Sequence, residues 1–322
     1  MQPTCTPSEQ QIADFAHSLG CAPDALLEFP RFFQIETVSL CNARCVMCPV
    51  EEWKRDVNIM EEPLFQKILE ELAKYTHLIR RVTLQLDGEP LIDRKLEARI
   101  AALKKIGVKY VAISSNASLM RPARAISIVD SGIDEVSFSI DGASATTFEA
   151  IRKRLKFDEC VANTENFIKV RNERNPNLKV RVRMTVQEGN AHEVDAFLNY
   201  WKPRIGPRDS AYYKLLHNWA NWVRDYKLVP EHDPEALNSS PCIAPFGSFV
   251  ILTDGRVPLC CADFNAAALT GNVKTSTIQA VWQGEVFRRI RETHLNKGRR
   301  GMPMCVDCNI WDTAARCESQ SS

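Results

Sequence analysis

Strand-like and helix-like segments alternate along most of this 322-residue sequence, and the alternation limits the folds that it can form. Short runs rich in β-branched residues, such as Val108–Ser114 and Leu178–Val186, are separated by amphipathic stretches of ten or more residues. Strands that alternate with helices form a parallel sheet with right-handed crossovers. We count about six such units, fewer than the eight of a closed barrel. The sequence therefore predicts an α/β fold with a partial (β/α)6 barrel.

Three shorter regions flank the predicted barrel. The last one begins with two strand-like runs joined by Asp254-Gly255, a dipeptide typical of hairpin turns, and continues with a helical pattern near Ile278–His294. We expect it to form a small α+β domain. The predicted boundaries are 1–31 for a helical lead-in, 32–205 for the barrel, 206–241 for a linker and candidate substrate segment, and 242–322 for the C-terminal domain.

The composition argues against several classes of function. The chain has 41 basic and 40 acidic residues and a net charge of +1, so no bulk field favours nucleic acid or an anionic membrane. No stretch approaches the roughly 18 apolar residues that span a bilayer, and no signal peptide opens the sequence. We therefore expect a cytoplasmic protein with a small-molecule substrate. Its 12 cysteines are more typical of metal or redox chemistry than of disulfides in such a chain.

A C-x3-C-x2-C run, Cys41, Cys45 and Cys48, directly follows the first predicted strand. Three thiolates on one short loop can ligate three irons of a 4Fe-4S cube and leave the fourth iron open. At the C-terminal end of a parallel strand, where such sheets bind ligands, the open iron can chelate a small molecule. The alternative interpretation is a set of buried structural thiols.

At these residues the sequence resembles the radical S-adenosylmethionine (SAM) superfamily, which binds its catalytic cluster with this run. Asp87-Gly88-Glu89-Pro90 ends the second strand where the family has Gly-Gly-Glu-Pro, with Asp87 in place of the first glycine. The resemblance implies that this segment engages the methionine amino group. For Arg183, a candidate for the methionine carboxylate, a solvated strand-edge position is the alternative. The positions that resemble SAM contacts of the family are Met47, Gly88, Glu89, Ser115, Asn116, Ser139, Asp141, Arg183 and Val186.

The resemblance also implies a chemistry. In the family, the reduced cluster gives one electron to SAM, and a 5'-deoxyadenosyl radical then removes hydrogen from an unactivated carbon. A flavodoxin or ferredoxin type protein is the expected electron donor. The cofactor performs the difficult step, so the protein has to orient the substrate and exclude water and oxygen.

A second set of cysteines, Cys242, Cys260, Cys305 and Cys308, lies in the C-terminal region. Four-cysteine closure fits either a 4Fe-4S cluster or structural zinc. The spacing C-x12-G-x4-C followed by C-x2-C resembles the twitch form of the SPASM module, which binds one auxiliary 4Fe-4S cluster. The predicted cofactors are therefore SAM and two [4Fe-4S] clusters.

A fully ligated auxiliary cluster cannot chelate substrate, so we expect it to accept an electron. This favours dehydrogenation or epimerisation of a hydroxylated carbon in a sugar or aminocyclitol, as in the aminocyclitol dehydrogenases and radical epimerases that this layout resembles. Peptide modification is one alternative, and a non-catalytic iron-sulfur or zinc scaffold is another.

Three residues are candidates for the substrate chemistry. Cys261 could return a hydrogen atom to the substrate radical, although Cys-Cys at this place also resembles modules that do not epimerise. His217 and Asp263 are candidates for the base that accepts an alcohol proton. Cys317 is a spare ligand, a donor or a bystander. The segment 212–222 carries His217, Lys214 and other polar groups that could face the substrate. Its Trp219 and Trp222, at helical spacing, could instead serve plain interdomain packing.

Overall fold

The computed structural model describes residues 7–56, 58–222 and 233–310. Its main feature is a parallel seven-stranded sheet with the strand order β8-β7-β5-β4-β3-β1-β9. Two short antiparallel pairs, β2 with β6 and β10 with β11, lie outside it. The strands are β1 (Phe32–Ile35), β2 (Arg44–Cys45), β3 (Arg81–Thr83), β4 (Val111–Ser115), β5 (Glu135–Ser139), β6 (Arg152–Lys153), β7 (Lys179–Val186), β8 (Ser210–Leu215), β9 (Ser248–Ile251), β10 (Arg256–Pro258) and β11 (Leu269–Asn272).

Helices pack against the outer face of this sheet and over its last strand. Prolines stand at the first helical turns of α2 and α4, where the missing N–H costs no hydrogen bond. The helices are α1 (Pro7–Ser18), α2 (Glu62–Ala73), α3 (Leu96–Lys105), α4 (Pro122–Asp130), α5 (Ala145–Ile151), α6 (Phe157–Arg174), α7 (Val194–Trp201), α8 (Pro234–Ser239), α9 (Ala244–Gly247), α10 (Ile278–Gln283) and α11 (Glu285–Lys297). Within the described ranges, none of them combines the length and the apolar character that a membrane span requires.

The predicted partial barrel followed by a small α+β domain is confirmed. Strands β1, β3, β4, β5, β7 and β8 supply six parallel strands with helices between them. Every residue of β5 is buried, as expected for a strand covered on both faces. The stretch predicted as a linker, 206–241, contains β8, which pairs with β7 and extends the sheet.

Two local predictions need correction. The turn at Asp254-Gly255 forms, and across it the Leu252 N–H donates to the Arg256 carbonyl at 2.9 Å. The runs do not continue as a two-stranded hairpin, because β9 joins β1 in the main sheet and β10 pairs with β11. The helix predicted near Ile278–His294 is two helices, because Gly284 has an extended backbone that ends α10 and begins α11.

The C-terminal domain shares one apolar core with the barrel. Phe249 on β9 lies 5.7 Å from Phe33 on β1 and 6.1 Å from Trp282 on α10, measured between ring centroids. The Trp282 indole N–H donates to the Leu26 carbonyl at 3.0 Å. Each fully buried aromatic side chain contributes about 1.5–3 kcal/mol. This shared core fixes the C-terminal cysteines relative to the barrel.

Candidate active site

A pocket lies at the edge where the strands of the main sheet end. Residues at the carboxyl ends of six of the parallel strands, or in the loops after them, border it, because these ends meet at one edge of the sheet. Its empty volume is about 830 Å3. The pocket is bordered by Cys41, Cys45 and Cys48 and by the polar residues Gln85, Asp87, Glu89, Ser114, Ser115, Asn116, Ser139, Arg152, Arg183, Thr185, Lys214 and His217.

The cysteine loop is held in place by a distant part of the chain. Strand β2 pairs with β6 so that Cys45 faces Arg152, and the Val46 N–H donates to the Ile151 carbonyl at 3.0 Å. One Arg152 nitrogen lies 3.7 Å from the Cys45 Sγ. Two other nitrogens of the same guanidinium bind Oδ2 of the fully buried Asp141 at 2.7 and 2.6 Å. Asp141, predicted as a SAM contact, therefore lies beneath the pocket and positions Arg152.

The three thiols border one pocket and can ligate three corners of an iron-sulfur cluster. Among the described residues, no three Cys, His, Asp or Glu side chains lie close enough to hold one ion. Burial raises the pKa of Cys41 to about 11, and it also raises the pKa of Cys45 and of Cys48. Because burial disfavours the charged thiolate form, the thiolates need positive charge beside them. Arg152 supplies part of this charge, and the irons of a bound cluster would supply the rest.

Most residues predicted to contact SAM border the pocket. Glu89 is firmly fixed, because its carboxylate accepts hydrogen bonds from the Ser115 hydroxyl and the Asn116 N–H, both at 2.8 Å. Val186 does not border the pocket: its neighbour Thr185 takes the pocket-facing position on β7, so Val186 packs in the core. The predicted SAM contacts that border the pocket are Met47, Gly88, Glu89, Ser115, Asn116, Ser139 and Arg183.

Three ionisable side chains of the pocket stand in unusual surroundings. Burial and the charge of Arg183 lower the pKa of Lys214 to about 7, and burial lowers the pKa of His217 to about 3. Asp87 has no hydrogen bond to either carboxylate oxygen within the described residues. Burial and the neighbouring Glu36 carboxylate raise the pKa of Asp87 to about 8. These groups remain available to a bound molecule.

The sequence interpretation assigned no role to Arg152, and it included Lys214 only within a segment of polar groups that could face the substrate. Nothing local distinguishes Arg152, because its importance comes from the pairing of β6 with the cysteine loop. Strand pairing explains why Lys214 borders the pocket: β8 aligns Lys214 with Thr185 of β7, which also borders it. Trp219 also borders the pocket, and its positive φ of 43° lies in a turn rather than a helix.

A second cavity, with an empty volume of about 380 Å3, is bordered by Cys242, Cys260, Cys305 and Cys308. The four cysteines come from the turn before α9, the turn after β10 and the loop after α11. Four cysteines around one cavity can ligate the four iron corners of a 4Fe-4S cluster.

The two cavities are linked through Asn218, which follows the last pocket residues of β8. Its backbone N–H donates to the Asn309 side chain at 2.8 Å, and its side-chain amide donates to the Asp307 carbonyl at 2.6 Å. Both partners belong to the loop that carries Cys305 and Cys308. The position of this loop therefore depends on the same segment that presents Lys214 to the pocket.

Two of the predicted substrate residues do not border the pocket. Cys261 packs in an apolar cluster with Leu86, which does border it. The Asp263 carboxylate accepts hydrogen bonds from three backbone N–H groups of its own loop, at 2.7, 3.0 and 3.4 Å. Asp263 is thus engaged in holding the turn after β10. Cys317 lies outside the described residues.

Two family models match the chain. The model of the radical SAM superfamily matches residues 35–199, and the model of the SPASM iron-sulfur cluster-binding domain matches residues 242–309. A tungsten-containing aldehyde ferredoxin oxidoreductase cofactor-modifying protein of Pyrococcus furiosus is 28% identical over 142 residues, which are 40% of this chain and 39% of that protein. The mycofactocin maturase MftC of Mycolicibacterium smegmatis is 25% identical over 319 residues, which are 89% of this chain and 77% of the maturase.

Solved structures share the fold. The structure of BtrN in complex with AdoMet and 2-DOIA aligns with a TM-score of 0.60 at 17% identity, over 87% of this chain and 93% of BtrN. Streptococcus suis SuiB bound to its precursor peptide SuiA aligns with a TM-score of 0.67 at 14% identity, over 92% of this chain and 74% of SuiB. At these identities the likeness concerns the fold alone.

Proposed function

The chain belongs to the radical SAM superfamily, in its SPASM/twitch subfamily, and from that premise we propose that it acts on a hydroxylated small molecule of the sugar or aminocyclitol class. Its cofactors are SAM and [4Fe-4S] clusters, which when bound supply a hydrogen-abstracting radical and an electron acceptor. Dehydrogenation removes one hydrogen atom from the carbinol carbon, one proton from its oxygen and one electron, and leaves a ketone.

The observation that carries this proposal is the Lys214 amine in the pocket beside the cysteine triad. Within the described residues it has no hydrogen-bond or ion-pair partner. Its pKa of about 7 leaves about half of the amines neutral at pH 7, which suits a group that accepts a hydroxyl proton. His217 was the predicted base, but its pKa of about 3 makes it a weak one. We therefore assign proton acceptance to Lys214.

Asp87 supports the same class of substrate. Both of its carboxyl oxygens are buried without hydrogen bonds in the described residues, although it borders the pocket. In the described part of the chain its one ionic contact is with Arg55, at 3.9 Å, and Arg55 already donates to both carboxylate oxygens of Glu36. A buried carboxyl group without partners is costly, so a substrate with hydroxyl or amino donors would stabilise it. Sugars and aminocyclitols carry such donors on adjacent carbons.

Cys261, which packs in the apolar cluster that includes the pocket residue Leu86, would decide between the two outcomes of the proposed reaction. If its S–H returns a hydrogen atom to the substrate carbon, the product is an epimer. The thiyl radical that remains would then take a proton and one electron, the electron from a flavodoxin or ferredoxin type donor. If no thiol intervenes, the substrate loses an electron and a proton, and the product is the ketone. We also propose that the protein works in the cytoplasm with such a donor.

The test is turnover of a panel of aminocyclitols and aminosugars, each deuterated at one carbinol carbon. The chain is reconstituted without oxygen and supplied with SAM and a reductant. We expect deuterium in 5'-deoxyadenosine and a ketone that has lost one deuterium and one hydrogen, or an epimer whose formation is lost in Cys261→Ala. Lys214→Met should lose product formation far more than SAM cleavage. Failure of every member of the panel to react would contradict the proposed substrate class.

Peptide modification is a second candidate, favoured by the likeness to SuiB with its precursor peptide. It would need the pocket to admit a side chain of an extended peptide. The same assay with a mass-coded peptide library distinguishes the two: deuterium transfer from a peptide residue, with none from the sugars and aminocyclitols, would replace the first candidate.

A further inference from the structure

His294 borders the cavity of the four C-terminal cysteines and has no role in the predicted ligand set. It lies near the end of α11 and is fully buried. The cavity is otherwise bordered by apolar groups, backbone and Arg299. A buried histidine among apolar neighbours needs partners for both ring nitrogens, because an unpaired buried polar group costs free energy.

The hydrogen bonds of His294 define where its proton is. The backbone N–H of Cys242 donates to its Nδ1 at 3.2 Å. A nitrogen that accepts a hydrogen bond has a free lone pair, so the ring is neutral and its proton is on Nε2. Among residues 7–56, 58–222 and 233–310, this buried Nε2 has no hydrogen-bond partner. His294 therefore presents an unpaired N–H donor at the cavity.

Among the described residues that border the cavity, none accepts a hydrogen bond from this Nε2. Arg299 is a cation without a free lone pair, and its guanidinium donates to the carbonyls of Leu237 and Ser240. The thiolates of a bound cluster and its inorganic sulfides are hydrogen-bond acceptors. They are also the groups that the four cysteines would assemble in this space.

We infer that His294 donates a hydrogen bond from Nε2 to a sulfur of the auxiliary cluster and thereby raises its reduction potential. Reduction places added negative charge on the cluster sulfurs, and a hydrogen bond strengthens as its acceptor becomes more charged. The reduced state therefore gains more from the N–H than the oxidised state does. His294 is a positioning and tuning residue in this role, and not a ligand. The inference concerns the cluster itself and holds whether the substrate is an alcohol or a peptide.

The test is a redox titration of the auxiliary cluster, followed by electron paramagnetic resonance. The full chain with Cys41, Cys45 and Cys48 changed to alanine is reconstituted, so that only the auxiliary cluster contributes. In this background His294→Asn keeps an acceptor for the Cys242 N–H but lacks a donor at the Nε2 position. His294→Gln places an amide N–H near that position. His77→Asn, at an exposed histidine, is the matched control.

We expect His294→Asn to shift the reduction equilibrium roughly tenfold towards the oxidised cluster, which is about 59 mV for one electron. His294→Gln should recover most of this shift, and His77→Asn should show none. An unchanged potential in His294→Asn, with the iron content of the parent, would overturn the inference. Loss of the cluster in both His294→Asn and His294→Gln, with the cluster kept in His77→Asn, would also overturn it, because His294 would then act as a ligand.

A second readout needs no His294 variant. Electron-nuclear double resonance of the reduced cluster should give an exchangeable proton coupling that disappears in D2O and only a weak coupling to histidine nitrogen. Strong nitrogen coupling, typical of direct ligation, would make His294 a ligand and refute the hydrogen bond. Absence of any exchangeable proton would refute it as well.

Discussion

Changing Arg152 to methionine should destabilise the barrel and weaken the first cluster. Arg152 makes two bonds to one Asp141 oxygen, at 2.7 and 2.6 Å, and the other oxygen accepts the Thr185 N–H at 2.7 Å. Asp141 is fully buried, so Arg152→Met leaves a carboxylate without its countercharge. Removing one partner of a buried ion pair costs about 3–5 kcal/mol. The change also removes the cation that lies 3.7 Å from the Cys45 sulfur.

The free energy of unfolding should be measured by urea denaturation of the cluster-free chain, and iron retention on the reconstituted chain. The matched control is Arg174→Met, because Arg174 also makes two bonds to an aspartate, Asp130, at 2.8 and 2.6 Å, but at the surface. We expect little change there. Adding Asp141→Asn to Arg152→Met should recover more than half of the loss. Equal stability of Arg152→Met and Arg174→Met would refute the argument.

Two further predictions concern the pocket. Lys214 accepts protons only when neutral, so with a pKa of about 7 kcat/KM should fall about tenfold per pH unit below 7 and level off above 8; a flat profile between pH 6 and 8 would contradict this. Gly88→Ala should cost the first cluster its iron, because a Cβ would lie 2.3 Å from the Val38 carbonyl oxygen. Gly189→Ala, whose Cβ meets its nearest atom at 3.9 Å, should retain iron.

The sequence predicted the barrel and both cysteine sets because each has a local signal. Strand and helix periodicity are read within a window of a dozen residues. Parallel topology then brings the strand ends to one edge, so the run at Cys41 and the segment at Glu89 had to meet. For these features, the structure was needed to show the order of the strands in the sheet and how close the loops lie to one another.

What the sequence did not predict depends on contacts between distant residues. Ser248–Ile251 looks the same whether it pairs with its neighbour in a hairpin or with β1, and the shared core around Phe249 decides between them. Asp141 fits a family position for SAM contact, but the ion pair with Arg152 draws it beneath the pocket. Asp263 follows a predicted ligand cysteine closely and was a candidate base, yet its carboxylate accepts hydrogen bonds from three backbone N–H groups.

The same long-range contacts explain how one chain can hold two cysteine centres in fixed relation. Strand β9 pairs with β1, which leads directly into the loop of Cys41, and the turn after β10 carries Cys260. On the other side, Asn218 joins the end of β8 to the loop of Cys305. Each cysteine centre is therefore connected, by strand pairing or by hydrogen bonds, to the sheet whose edge forms the pocket. A substrate held between Asp87 and Lys214 would therefore keep a fixed position relative to both cysteine centres. Electron transfer between the substrate and these centres requires such fixed distances.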